Sequence, residues 1–238
     1  MERNSFWGFV ILGISIGLGI TAAGLCMSIA FYNTRATEHF VTVKGLAERN
    51  VIADLAIWPL TFKETGNDLT ELNRIVDSKR QTIRQFLLDA GFEDSEISLS
   101  APTIRDSQAE PIYGDQTVPK YRYVAEQTVS IGTNKVPLVK QTMEKSGELV
   151  GKGIVLVAGR GTEFLFTSLN KIKPDMIAEA TENARKAAEQ FAQDSGSKVD
   201  KIRKASQGLF TINIRDRNSP ENKVVRVVTT VEYYIVDN

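Results

Sequence analysis

The chain has 238 residues, and its 29 Lys plus Arg equal its 29 Asp plus Glu. That balance supplies no basic field to hold a polyanion and no acidic tail, which argues against nucleic acid as a partner. With 42% hydrophobic and 24% charged residues, the composition is that of a globular chain able to bury a core.

From Ser5 to Tyr32 no residue is formally charged. The run FWGFVILGISIGLGITAAGLCMSIAFY is long enough to cross a hydrocarbon core, which needs about 20 residues as helix. A cleavable signal has an apolar core of only about 7 to 15 residues, so residues 1–32 read as a retained signal-anchor, with Ser28 and Ala30 a weak small-x-small cleavage site. Phe6, Trp7, Phe31 and Tyr32 stand at its two ends, where amphipathic rings settle at headgroup level. Gly13 and Gly17 form one GxxxG spacing, a candidate transmembrane contact face. Cys26, the single cysteine, lies within this run, so the rest of the chain has no thiol for a disulfide, a zinc site or a nucleophile. Leu25 before it is not the small residue that lipoprotein processing requires. Arg3 before the span and Arg35 and Lys44 after it slightly oppose export, a bias that long domains override.

Residues 33–39 read as a short polar stalk, and residues 40–238 as one α+β domain. FVTVKG and NVIADLAIWPLTFKE read as strands, the second with Val51, Ala53, Leu55 and Ile57 on one face. Asp68 with Glu71 is a capping-box start to a helix carrying Leu69, Leu72, Val76, Ile83, Phe86, Leu87 and Ala90 on its apolar stripe up to Gly91. A strand around Ile97 to Ile104 leads into a polar loop, Arg105 to Lys120, broken by Pro111, Gly114 and Pro119. YRYVAEQTVSIGT then alternates, with Tyr121, Tyr123, Ala125, Val129 and Ile131 on one face.

A short helix over Val136 to Ser146 precedes GIVLVAG and EFLFTSL, two strand-like runs separated by the turn Gly159-Arg160-Gly161. Pro174 opens the next helix, with Ile177, Ala180, Ala184, Ala187, Ala188 and Phe191 on one stripe and Gly196 at its stop. The closing strands span roughly Lys198 to Arg215 and Lys223 to Val236, the latter aligning Val225, Val227, Val231, Tyr233 and Ile235. The fold class that emerges is α+β: mostly antiparallel sheets packed with two long amphipathic helices and one short helix, preceded by one transmembrane helix.

Catalytic motifs are missing from this string. His39 is the sole histidine and sits beside the stalk, without the fixed partners of a triad or zinc site. Gly147 to Gly153, GELVGKG, is one residue short of a phosphate loop and lacks the following Ser or Thr. Gly151, Gly153, Gly159 and Gly161 do not form GxGxxG and read as turn glycines. Asp175, Glu179 and Glu182 read as a solvated helix face beside Arg185 and Lys186 rather than a cation site. No catalytic, cofactor-binding or metal residue is assigned and no cofactor is expected. Arg160 and Lys152 are candidate interaction cations on exposed turns, and Trp58 before Pro59 is a core ring or an interaction ring.

The segments FVTVKGLAERNVIADLAIW, YRYVAEQTVSIGT and IAEATENARKAAEQFAQDSG, with the valine-rich closing strand, resemble the SIMPL-domain family from Phe40 to Val236. The strongest points of likeness are Lys44-Gly45, the Ala180, Ala184 and Ala187 spacing, and Gly196 to Ile202. The resemblance implies a bacterial envelope protein, usually periplasmic, sometimes assembled into rings and in some members linked to oxidative-stress tolerance. It brings no established enzymatic activity. The chain departs from the commoner exported members in its long apolar segment. The expectation is therefore a noncatalytic protein of the bacterial inner membrane, single-pass, with a periplasmic domain that forms a homo-oligomer or binds an envelope partner and stays folded when expressed from about Thr37. A small-molecule or peptide carrier, and an enzyme with a carboxylate or arginine site, are the alternatives.

Overall fold

The computed structural model describes residues 3–35, 39–109, 120–157 and 161–237. Helix α1 (Arg3–Arg35) comes first. Its stretch Leu12–Ile29 has a mean hydropathy of 1.9, and none of it is buried. The side chains of Phe6, Trp7, Phe31 and Tyr32 lie outside the described set, as do Pro111, Gly114 and Pro119 of the polar loop.

The chain folds as α+β, with two antiparallel sheets and, among the described residues, strands β1 (Phe40–Ile52), β2 (Leu55–Gly66), β3 (Ile97–Leu99), β4 (Thr103–Asp106), β5 (Tyr123–Thr133), β6 (Glu163–Leu165), β7 (Ser197–Gln207), β8 (Thr211–Ile214) and β9 (Asn222–Asp237). The helices after α1 are α2 (Leu69–Asp89), α3 (Val136–Glu144), α4 (Gly147–Gly151) and α5 (Leu169–Asp194). The chain divides into two compact units, one of Met1–Ala47, Ile177–Leu209 and Val227–Asn238, the other of Glu48–Met176 and Phe210–Arg226.

In the second unit β5 is central, with β2 along one side and β3 and β4 along the other. Trp58 lies opposite Ile131, Leu60 opposite Val129 and Phe62 opposite Gln127, and these side chains share the buried face. Against that face α2 lays Leu72, Val76, Ile83, Phe86 and Leu87, with Val139 of α3 and Leu149 of α4 completing the core. Burying each of these large side chains contributes about 1.5 to 3 kcal/mol. The Asp68 carboxylate caps α2 by accepting from the Glu71 N–H at 2.7 Å, while the Glu71 carboxylate turns to Arg74. At the other end Gly91, at φ +100, lets the Phe92 N–H return to the Leu87 carbonyl at 3.2 Å and the Gly91 N–H to Leu88 at 3.0 Å. This Schellman closure sends Phe92 into the core.

The buried face of β2 is the opposite of the one expected. The chain breaks between Ala53 and Asp54, which shifts the alternation, so Ala56, Trp58, Leu60 and Phe62 point inward while Leu55 and Ile57 stay half-exposed. The break has its own hydrogen bonds. Ala53 N–H donates to the Glu221 carbonyl at 2.8 Å, and the Asp54 carboxylate accepts from the N–H groups of Thr167 at 2.6 Å and Ser168 at 2.9 Å and from the Thr167 hydroxyl. Burial pushes the Asp54 carboxyl upward, but those donors outweigh it and hold it below the ordinary aspartate range. Asp54→Ala is expected to cost about 1 to 2 kcal/mol, as loss of a capping side chain does, read as a fall in the urea midpoint at unchanged slope.

Other boundaries also differ. The strand expected over Ile97 to Ile104 is two strands, β3 and β4, both paired to β5. The short helix expected over Val136 to Ser146 is α3, and the unexpected α4 follows it, so Gly151 is helical rather than a turn residue. Of the expected strand GIVLVAG, residues 153–157 are described, and their only strand pairing among the described residues is a lone bridge from Leu156 to Phe62. The Val157 N–H donates to the Thr61 carbonyl at 2.9 Å, so the odd residues of β2 turn their backbone groups to that edge. Pro59 is an odd residue, and its missing N–H therefore leaves no donor unmet inside the sheet.

In the first unit β9 lies between β1 and β7. Val41 of β1 and Val231 and Tyr233 of β9 pack against Ala184 and Ala188 of α5. Helix α5 begins at Leu169, with Pro174 inside it rather than opening it. Its buried stripe is Met176, Ala180, Ala184, Ala188 and Ala192, a strict fourfold spacing that leaves Ala187 and Phe191 exposed. Gly45 sits under this stripe, and the Asn183 side chain donates to the Leu46 carbonyl at 2.8 Å. The stretch from Lys198 to Arg215 is not one strand but β7 and β8, divided after Gln207. The Gly208 N–H donates to the Val228 carbonyl at 2.8 Å, so close to that backbone that a Cβ there would sit 2.7 Å from the same oxygen.

Candidate interaction surfaces

The core-facing side of the second unit's sheet is filled, so any site on that sheet must use its other side. There the odd residues of β2 and the even residues of β5 line a cleft of about 520 Å³, formed by Ile57, Pro59, Thr61, Glu126, Thr128 and Ser130 with Gly161 and Glu163. The hydroxyls of Thr61 and Thr128 lie 2.8 Å apart, and Glu126 pairs with Lys63 at 2.9 Å. The lining is polar and apolar in equal measure, with Thr61, Glu126, Thr128 and Ser130 beside Ile57 and Pro59, so it could meet a ligand that carries both kinds of group. No sequence motif marked it, because Thr61 and Thr128 meet only through the pairing of β2 with β5.

Lys152 follows α4 and is exposed. It borders a hollow of about 170 Å³ with Asp89, Gln141, Lys145 and Glu148. Arg160, its expected companion, lies outside the described residues, as does Gly159. Trp58 is only 6% exposed and belongs to the core, so its ring offers no surface to a partner. Gly13 and Gly17 are both open, with nothing within 4 Å of the positions their side chains would take. His39 is exposed, and its carbonyl accepts from the Ile235 N–H at 2.9 Å. Asp175 lies 3.9 Å from Arg49, and Glu182 pairs with Lys186 at 2.7 Å, so these carboxylates face cations of the chain itself. Among the described residues no group of three or more His, Cys, Asp or Glu converges as a metal site would require.

One cluster is buried and charged. Glu221, just before β9, and Lys223, near its start, are each 8% exposed. The Lys140 ammonium of α3 bonds Glu221 Oε1, whereas Oε2 is buried with no hydrogen-bond partner among the described residues. Burial pushes the Glu221 carboxyl up, and the hydrogen bond from Lys140, the residue's own backbone N–H and the Lys140 charge together more than reverse this. Lys223 is held below the ordinary lysine range by burial, partly offset by the charge on Glu221. The sequence hides this cluster because Lys223 and Glu221 read as the polar start of a strand.

The opening resemblance rests on Lys44-Gly45, the Ala180, Ala184 and Ala187 spacing and Gly196 to Ile202, and the family comparison agrees with it. The profile of SIMPL, described as a protein of unknown function (DUF541), matches residues 41–231. The chain belongs to the SIMPL family. Membership supports a general envelope-type protein carrying an N-terminal apolar helix. No curated protein matches the chain.

The two strands before the closing one expose much of the SIMPL domain's sheet surface. Strand β7 is exposed over most of its length, and β8 is exposed throughout, with Ile212 and Ile214 both open to solvent. Strand β8 pairs with β9 alone among the described residues, which leaves its second edge free.

Proposed function

We propose that this SIMPL protein is a noncatalytic, single-pass protein of the bacterial inner membrane whose domain, residues 40–238, works in the periplasm by binding further copies of itself or another envelope component. The observation that carries the reading is α1: an apolar helix whose Leu12–Ile29 stretch buries none of its surface in the protein is stable only where another apolar medium covers it. Self-association is supported by β8, whose free edge and exposed Ile212 and Ile214 present pairing groups and apolar area together. Confinement by the anchor raises the effective concentration of protomers in the membrane plane. Tolerance of oxidative or envelope stress is the physiological role this reading carries from the family resemblance.

The carrier alternative called for a deep apolar cavity, whereas the cleft on β2 and β5 is lined by polar and apolar surface alike. The enzyme alternative is addressed by the same cleft: Glu126→Gln would abolish a turnover that used its carboxylate and leave assembly unchanged.

The test uses the full chain. Protein from membranes should resist alkaline carbonate extraction and give an N-terminal sequence beginning at residue 1, while a sequence beginning near Phe31 would overturn the anchor. A reporter enzyme fused after Asn238 should be active only outside the cytoplasm. In detergent, light scattering should give a protein mass of several protomers that Ile214→Lys reduces, and a single-protomer mass across a wide concentration range would overturn self-association.

A further inference from the structure

The outer face of the first unit's sheet combines cations with apolar side chains, and it begins where the anchor ends. Alternation along β1 sends Phe40, Lys44 and Leu46 to the side away from α5, and all are exposed. In β7 the register places Lys198 opposite Val236 and Lys204 opposite Glu232, so both lysines project to the same outer side. Arg203 fixes that assignment: its guanidinium lies 4.3 Å from the centroid of the Phe40 ring and bonds Glu232, the acidic residue opposite Lys204, at 2.7 Å. Lys44, Lys198 and Lys204 have no ion pair among the described residues, and Asp200 is the acidic residue of β7.

The tether is short. Helix α1 ends at Arg35 and β1 begins at Phe40, so the chain can separate them by at most roughly 17 Å even fully extended. That keeps the start of the outer face near the headgroups, and a lysine that comes within about a Debye length of an anionic surface feels its field.

We propose that this face, carrying Lys44, Lys198 and Lys204 around Phe40, Leu46 and Val236, docks onto anionic phospholipid headgroups of the membrane that holds α1. The inference rests on the anchored reading above. The lysines supply attraction, and the exposed Phe40, Leu46 and Val236 settle among the headgroups, as on other amphipathic membrane surfaces. The anchor sets the location, and the face sets the domain's orientation on the bilayer.

The experiment uses the full chain in vesicles of phosphatidylcholine alone or mixed with phosphatidylglycerol. In one protein the native Cys26 carries an environment-sensitive dye, and quenching by acyl-chain spin labels reports the anchor. In a second, Cys26→Ser with Val236→Cys, the dye at position 236 is read against headgroup spin labels. Docking predicts quenching at position 236 in the mixed vesicles, little in phosphatidylcholine, and reversal at high salt. Lys198→Glu with Lys204→Glu should lower the docked-to-free ratio by at least about fivefold, the contribution of one cation near an anionic surface. Quenching at Cys26 without lipid-dependent quenching at position 236 overturns the docking and leaves the anchor standing. No quenching at Cys26 overturns the anchored reading and the docking with it. Quenching at 236 that ignores both lipid charge and the lysine reversal overturns the electrostatic assignment.

Discussion

Replacing Gly45 by alanine is expected to destabilise the protein by about 3 kcal/mol, at the upper end of what overpacking costs. The reason is backbone against backbone. A Cβ at position 45 would lie 1.8 Å from the Ala180 carbonyl oxygen and 2.4 Å from the Ala184 nitrogen, distances that no side-chain rotation relieves. Helix α5 would have to lift off β1, and the contacts of Ala184 and Ala188 with Val41, Val231 and Tyr233 would open with it. For a chain of this size the loss corresponds to a fall in melting temperature of roughly 6 to 12 °C. Gly132→Ala is the control: nothing lies within 4 Å of its Cβ position, so its melting temperature should match the parent or rise slightly. Circular dichroism of both variants in detergent decides the matter, and a Gly45→Ala melt within about 2 °C of the parent would contradict the close approach.

That contact was half legible in the sequence. The Lys44-Gly45 pair and the alanine spacing carried the family likeness, and small residues at helical spacing announce close packing, yet only the structure shows which glycine meets which turn. Elements whose signals are local were read well. Asp68 and Gly91 bracket α2 because a carboxylate cap and a positive-φ residue act on their own neighbours, and β5 and β9 show their alternation because one side of each is buried. Errors arose where a distant partner decides. Alternation cannot reveal the shift at Ala53 and Asp54, which is held by Glu221, Thr167 and Ser168 from elsewhere in the chain. Pro174 suggested a helix start because proline is favoured in the first turn, but one lost hydrogen bond near the beginning of a long helix is tolerated when the preceding turn is anchored, here by Asp54. The cleft and the basic outer face are legible in neither composition nor motif, since both depend on strand register.

The buried charges at the start of β9 are expected to give the other large effect. Glu221→Ala removes the acceptor of the Lys140 hydrogen bond and the charge that partly offsets the burial of Lys223, so a loss of about 1.5 to 3 kcal/mol follows, the usual worth of a hydrogen bond to a charged group. Lys140→Ala should cost less, about 1 kcal/mol, because the Lys140 side chain is 46% exposed and water screens it. Lys223→Met should be neutral or stabilising, since it replaces a buried charge by an apolar chain of similar length. The pH dependence has two signs. The folded-state value of Glu221 is depressed, so its contribution is present above the unfolded glutamate range and is lost as pH falls through the folded value. Lys223 is also depressed, so between its folded value and the ordinary 10.5 the unfolded chain binds more protons, and stability rises with pH across that window. Urea titrations at several pH values should therefore show the alkaline rise in the parent and its disappearance in Lys223→Met. Persistence of the rise in that variant would assign it to another group, and a Glu221→Ala protein as stable as the parent would mean that Lys223 reaches water.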